Sequence, residues 1–424
     1  MNAVRVLIWG ELVGVIALDP ALGYYVFSYD AEFVKHGIEL APLQMPLREA
    51  TRPFVFTDLP VVTYRRLPAL LADVLPDDFG NALIDRYMAE QGVKASDITP
   101  LDRLAYMGDR SMGALEFKPV LGAHAKTSIA IELAELVVLA RQALQGHFKE
   151  DLQSHAALKN MIEVGTSAGG ARAKAVIAWN PHTHEIRSGQ LEAPAGFEHW
   201  LLKFDGVGRD QELGASQDYG RIEYAYFLMA FAAGIQMSDC RLLTEHGRAH
   251  FMTRRFDREQ GLKHHVQSLC AMSHLDYKKK STNSYEQLFL TLQQLGLGPD
   301  GFVEAFRRMV FNVMAKNCDD HTKNFAFILR HGRRNWELAP AYDITFAHNP
   351  QGEWTHQHLM SVSGKFKNFE TQDLLKLADR FGIGKADQVI KQVSEVVKQW
   401  PDFAQQAGLG AQITEFIGEL HERF

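Results

Sequence analysis

Between Asn317 and Asn324 the chain reads Asn-Cys-Asp-Asp-His-Thr-Lys-Asn, with Asp343 following after a short apolar stretch. The run comes directly after a helical pattern in which Phe302, Val303, Phe306, Met309, Val310, Val313 and Met314 recur at steps of three and four. A polar cluster on a loop anchored by a buried helix is where catalytic groups are commonly held. Phe325 to Leu329 and Asn335 to Ala339 flank the polar turn around Gly332, which predicts a hairpin. Folding it about Gly332 sets Asn324 opposite Pro340 and brings Asp343 back near His321. Asp319 with Asn324 five positions on, then an aspartate after a short β element, is the spacing of a phosphoryl-transfer site. The first carboxylate orients and deprotonates an acceptor hydroxyl; the amide oxygen and the later carboxylate, both hard oxygen donors, suit Mg2+. Asp319 meets that spacing and Asp320 does not. Either residue alone also fits a turn at a helix end, but the whole constellation points to chemistry.

The 424 residues suffice for two or three domains, and a net charge of −6 gives the chain as a whole no polyanion-binding signature. The three cysteines lie far apart, without the paired spacing of a zinc site or a disulfide framework. No apolar run approaches a membrane span, and Glu11 interrupts the apolar N-terminal pattern, so the expectation is a cytoplasmic protein with no signal peptide and no membrane contact.

Residues 3–9, 13–18 and 23–29 read as a meander of short strands with turns at Gly10-Glu11 and Asp19 to Gly23. It opens an α+β unit ending near residue 118, in which Leu75 to Asn81 leads into a helix and capping accounts for most polar residues of 102–117. A helical pattern spans Ile131 to Leu144. Gly165 to Lys174 is rich in small residues, which lets backbone N–H groups approach phosphate oxygens, while Arg172 and Lys174 add charge. It lacks the spacing of a Walker loop. A strand from Lys174 to Asn180 then pairs with Glu185 to Gln190 through Pro181-His182-Thr183-His184.

In the strand His199 to Phe204, Lys203 is one cation among large apolar residues. It either crosses to nucleotide phosphates, paired with a carboxylate such as Glu223, or lies on an exposed edge. Ile222, Ala225, Tyr226, Met229 and Ala233 mark the next helix, stopped by Gly234. The order of glycine-rich loop, strand lysine, helix glutamate and Asp…Asn…Asp is that of a kinase. In that order the strand Arg248 to Phe256 leads into the hinge, where backbone groups of Met252 to Arg255 meet the adenine edge. Helical patterns dominate from about residue 262. His356 and His358 lack a third metal ligand at useful spacing.

With these residues in view the chain resembles the HipA-type serine/threonine kinases, toxins of bacterial toxin–antitoxin pairs. The resemblance runs through the Val6-to-Tyr29 meander, Leu75-Pro76-Asp77, Thr166 to Lys174, Leu202-Lys203-Phe204, Arg255-Phe256-Asp257-Arg258, the Asn317-to-Asn324 string and Leu338 to Asp343. It departs from the family at Ala173, where proline is common, and at Arg254, where a carboxylate is common. The fold it implies is α+β: a two-lobed protein-kinase-like fold with an extra N-terminal α+β subdomain (1–118), a nucleotide-binding lobe (119–257) and a mostly helical lobe with the catalytic loop (258–424). It implies Asp319 as general base, and Asn324 and Asp343 as Mg2+ ligands. ATP is held by Ser167, Ala168, Gly169, Gly170, Lys174, Lys203, Met252, Arg254, His321, Lys323 and Asn324, with inhibitory autophosphorylation at Ser167. It also implies a DNA-binding antitoxin partner of HipB type, with DNA contacted through it, and a protein substrate, an aminoacyl-tRNA synthetase for the best-known members. A small-molecule kinase and a non-catalytic, antitoxin-binding scaffold are the rival readings.

Overall fold

The computed structural model describes residues 1–76, 78–121, 173–190, 193–205, 218–245 and 247–423. The expected helix at Ile131 to Leu144, Asp77 and the phosphate loop through Arg172, including Ser167, Ala168, Gly169 and Gly170, lie outside them.

Alternating burial builds the meander: β1 (Ala3–Ile8), β2 (Glu11–Asp19) and β3 (Tyr24–Tyr29) send Val4, Val6, Ile8, Val13, Ile16, Tyr25 and Phe27 inward. The first turn sits one residue earlier than expected. Ile8 pairs with Glu11, so Trp9 and Gly10 form the loop, both with positive φ (52° and 84°) as a tight hairpin of matching twist requires. β4 (Leu115–Lys118) pairs with β1 and completes a four-stranded sheet ordered β3-β2-β1-β4. Thr99 and Asp102 form a capping box on the helix Pro100–Met107, and Arg103 bonds Asn81 and Asp85, so these polar residues are structural, as expected.

The second sheet has five strands: β5 (Lys174–Trp179), β6 (Ile186–Ser188), β7 (Glu198–Lys203), β8 (Cys240–Glu245) and β9 (Arg248–Arg254), ordered β6-β5-β7-β9-β8. Every residue of β5 is buried, as befits a strand covered on both faces. The helix Tyr219–Ala232 packs against β9 through Gly220, where an added Cβ would meet the Ala249 carbonyl oxygen at 1.9 Å. Backbone meets backbone there, and Glu223, one turn on, and Tyr226, nearly two turns on, are also buried. Gly234 ends the helix with φ 81°, while the Ile235 amide reaches back to Ala230.

Residues beyond 257 are not uniformly helical. β10 (Arg258–Glu259) pairs with β11 (Leu262–Lys263), and β12 (His265–Ser268) lies beside β14 (Ala326–Leu329), which pairs with β15 (Trp336–Leu338). β13 (Asn283–Ser284) runs parallel to β16 (Met360–Ser361). Helices Tyr285–Gln294, Pro299–Met314, Thr371–Arg380, Ala386–Val397, Trp400–Gln406 and Ala411–Leu420 are the longer helices of this part. The β14–β15 hairpin forms as expected, but Phe327 faces Leu338 and Leu329 faces Trp336. That register puts Asn324 level with Ala341 rather than Pro340. The loop centres between Gly332 and Arg333, and a one-residue slip reverses which side chains face which side.

Candidate active site

The loop after Pro299–Met314 is pinned at alternate residues. Lys316 turns the chain with φ 56°; Asn317 then bonds Asn312 through backbone and side chain, and the Cys318 amide donates to Ala347 O. Asp320 is fully buried and accepts from Tyr285 Oη (2.7 Å), His358 Nδ1 (2.8 Å) and the Leu359 amide (2.8 Å). Thr322, also buried, donates to Leu275 O. Fixing its neighbours leaves Asp319 facing outward, its side chain 48% exposed and 3.9 Å from His321 Nε2. Two adjacent aspartates thus have opposite surroundings, one buried and bonded on three sides and one facing out. Asn324 closes the loop, its amide nitrogen donating to Asp319 O at 2.8 Å, which turns the carboxamide oxygen away from that carbonyl.

Asp343 joins this loop through its neighbour: Tyr342 Oη donates to Lys323 O at 2.6 Å. Asp343 itself adopts φ 53°, a left-handed conformation uncommon for a non-glycine residue and frequent at sites whose geometry is functional. Lys203 Nζ bonds both Asp343 Oδ1 and Glu223 Oε1. The lysine is 8% exposed in the interior strand β7, so the exposed-edge alternative is excluded. Burial works to lower its pKa, but Asp343 and Glu223 more than reverse this and hold the ammonium firmly charged. Burial likewise pushes the Asp343 carboxyl up, whereas Lys203 foremost, then Lys174 and His321, draw it well below the carboxylate range. Lys174 faces Lys203 in the β5–β7 register, which puts two cations at one end of the sheet. His321, expected near Asp343, is therefore within electrostatic reach of it.

The hinge reading needs correction. Met252 lies mid-strand in β9, opposite Leu202 on one side and Arg241 on the other, and is buried. The Arg254 amide donates to Asp239 O and the Arg255 amide to His199 O, so neither donor is available to an adenine edge. The Arg254 side chain faces out toward Glu198 and Asp239. Arg255-Phe256-Asp257-Arg258 is instead a clasp. Asp257 accepts from Arg255, Arg258 and the Gly113 amide, and Arg258 also donates to the carbonyls of Ser111 and Gly113.

Sequence reasoning gave Glu223 little weight, yet it is the buried partner of Lys203. Tyr342 was not singled out for the site, although it stood in the family string beside Asp343.

Comparison with curated proteins finds no match. Among solved structures, the HipA chain in a Shewanella oneidensis MR-1 toxin–antitoxin complex of HipA, HipB and operator DNA is similar at TM-score 0.67 and 15% identity, over 98% of this chain and 94% of that one. The Helicobacter pylori proinflammatory kinase CtkA aligns over 52% of this chain and 84% of its own, at TM-score 0.36 and 13% identity. The HipA N-terminal domain profile matches residues 4–118, and the HipA-like C-terminal domain profile matches residues 166–400. The second covers more than half of the 424 residues, and the chain accordingly belongs to the HipA family.

Proposed function

We propose that this chain is an ATP- and Mg2+-dependent kinase that phosphorylates a serine or threonine hydroxyl of a protein and acts as the toxin of a toxin–antitoxin pair. The observation that carries this reading is the junction at Lys203, where one buried cation holds both Glu223 and Asp343. In that scheme the five-stranded sheet belongs to a nucleotide lobe (119–257), and the loop at Asp319 to a catalytic lobe (258–424). Asp319, outward and half exposed, accepts the hydroxyl proton as the new O–P bond forms and the β,γ-bridging bond breaks, its electron pair leaving with ADP. Lys203 and Lys174 face the phosphates with the 166–172 loop, Ser167 being the autophosphorylation site; His321 and Lys323 complete the contacts.

The donor set suits magnesium. Asp343 offers a carboxylate held ionised, and Asn324 a carboxamide oxygen turned from the loop by the bond its nitrogen makes. When bound, the ion supplies charge neutralisation at the phosphate oxygens. A HipB-type antitoxin is the proposed partner, with operator DNA reached through it; a net charge of −6 agrees with leaving phosphate contacts to a basic partner. The protein substrate is proposed, from the family resemblance, to be an aminoacyl-tRNA synthetase, and the compartment the cytoplasm.

The test is transfer from labelled ATP, wild type against Asp319→Asn, with cell lysate and with purified metabolites as acceptors. We expect label in protein, a loss of about 10²–10⁴-fold in the variant, and ATP–Mg2+ still raising the variant's melting temperature. Full transfer by Asp319→Asn overturns the base assignment. Label in metabolites alone makes it a small-molecule kinase, and no transfer with intact antitoxin binding makes it a scaffold.

A further inference from the structure

The segment 56–73 grips residues beside the loop that carries Asp319. Tyr64 Oη donates to Cys270 O at 3.0 Å, Thr63 Oγ1 donates to Asp276, and Phe56 meets the His274 ring edge-on at 4.9 Å. Asp73 reaches further. It follows the short helix Ala69–Ala72 as its C-cap, where a carboxylate opposes the helix dipole and gains nothing from it. Its favourable partners lie elsewhere: Oδ2 accepts the Ser268 amide at 2.7 Å and Oδ1 accepts Ser268 Oγ at 2.7 Å. Ser268 is the N-cap of the helix Leu269–Met272. The same Oδ1 lies 3.9 Å from Lys323 Nζ, which also sits 5.2 Å over the Tyr277 ring. Lys323 in turn accepts the Tyr342 hydroxyl through its carbonyl, and its next residue is Asn324.

We propose that Asp73 is a positioning residue of the active site: by anchoring Lys323 and the Ser268 cap together, it sets the end of the loop that carries Asn324. The site is then incomplete without the N-terminal unit, which supplies this carboxylate. The proposal rests on the kinase reading for its activity readout. A pair 3.9 Å apart and partly exposed adds little to stability, whereas a small misplacement of a binding group costs rate.

The experiment compares Asp73→Asn, Lys323→Met and the double variant by kcat, KM for ATP and melting temperature. Asp73→Asn keeps an acceptor for the Ser268 amide and removes the charge. Expected are a fall in kcat of about tenfold and an unmoved melting temperature, with the double variant no slower than Lys323→Met. Wild-type kcat in Asp73→Asn, or losses that multiply in the double variant, overturns the proposal. Hydrogen exchange across 318–325 separates this proposal from the kinase reading. Should the wild type transfer nothing, faster exchange there in Asp73→Asn still supports the anchoring role, and unchanged exchange overturns it.

Discussion

Two ion networks join distant parts of this chain, and they are built on opposite terms. In the clasp, Asp257 is 0% exposed and is surrounded by Arg255, Arg258 and the Gly113 amide. Burial pushes its carboxyl up, but the two guanidiniums draw it well below its ordinary range; burial, with Arg255 beside it, pulls the Arg258 guanidinium down to about 10. At the junction, Lys203 and Glu223 are also buried, yet the Asp343 side chain remains 27% exposed and Asp319, farther along the same region, 48% exposed. The clasp directs its charges at one another and at backbone. The junction leaves one carboxylate at the edge of solvent, where an incoming group can exchange for Lys203. The first network is sealed, whereas the second keeps a carboxylate in contact with solvent.

The largest effect is expected where the network is sealed. Asp257→Asn leaves two buried guanidiniums short of their counterion, and breaking a buried pair typically costs about 3–5 kcal/mol. Chemical denaturation of the variant should show a loss of that size. A loss under about 1 kcal/mol would mean that the arginines find water or other partners, and the contrast with the junction would fall.

Asp343→Asn probes the open end. Lys203 keeps Glu223, and Asp343 is 27% exposed where Asp257 is sealed, so the loss of stability should be smaller than in Asp257→Asn. Transfer should nonetheless fall about 10²–10³-fold, the usual cost of removing one group that stabilises developing charge. Steady-state kinetics beside the same denaturation assay measures both. A variant as destabilised as Asp257→Asn, with normal transfer per folded molecule, would make the junction a second clasp.

How far the chain could be read in advance follows from the same contrast. The meander was legible because β1 and β3 alternate about one buried face, and the helix Pro299–Met314 because its apolar spacing is unbroken. The partnership of Lys203 and Glu223 was an option that order suggested, and packing through Gly220 made it specific. What sequence misplaced depends on long-range pairing. The hairpin register slipped by one because the loop is not symmetric about Gly332. Met252 and Arg254 looked like a connection between lobes, since nothing local says that β8 will cover the far edge of β9. β12 stayed hidden among helical patterns, having only four residues and a partner, β14, far along the chain.

The smallest expected effect is a pH dependence behind the loop. His358, 2% exposed, meets Asp320 at 2.8 Å, with Cys318 nearby and the Phe369 ring 5.3 Å away. Burial alone would lower its pKa; Cys318 and Asp320 outweigh it and raise the imidazole from 6.5 to about 10. A folded value above the unfolded one means that the pair stabilises fully below about pH 6.5. The contribution then shrinks as pH climbs and is gone above about pH 10. Melting temperatures of wild type and His358→Gln across this window should therefore differ most at the acidic end and converge toward the alkaline end. A constant difference would mean that His358 is held neutral and that Asp320 is fixed by Tyr285 and the Leu359 amide alone. Because Asp320 holds the loop beside Asp319 without touching solvent, this dependence should appear in stability at pH values where transfer by the folded enzyme is unchanged.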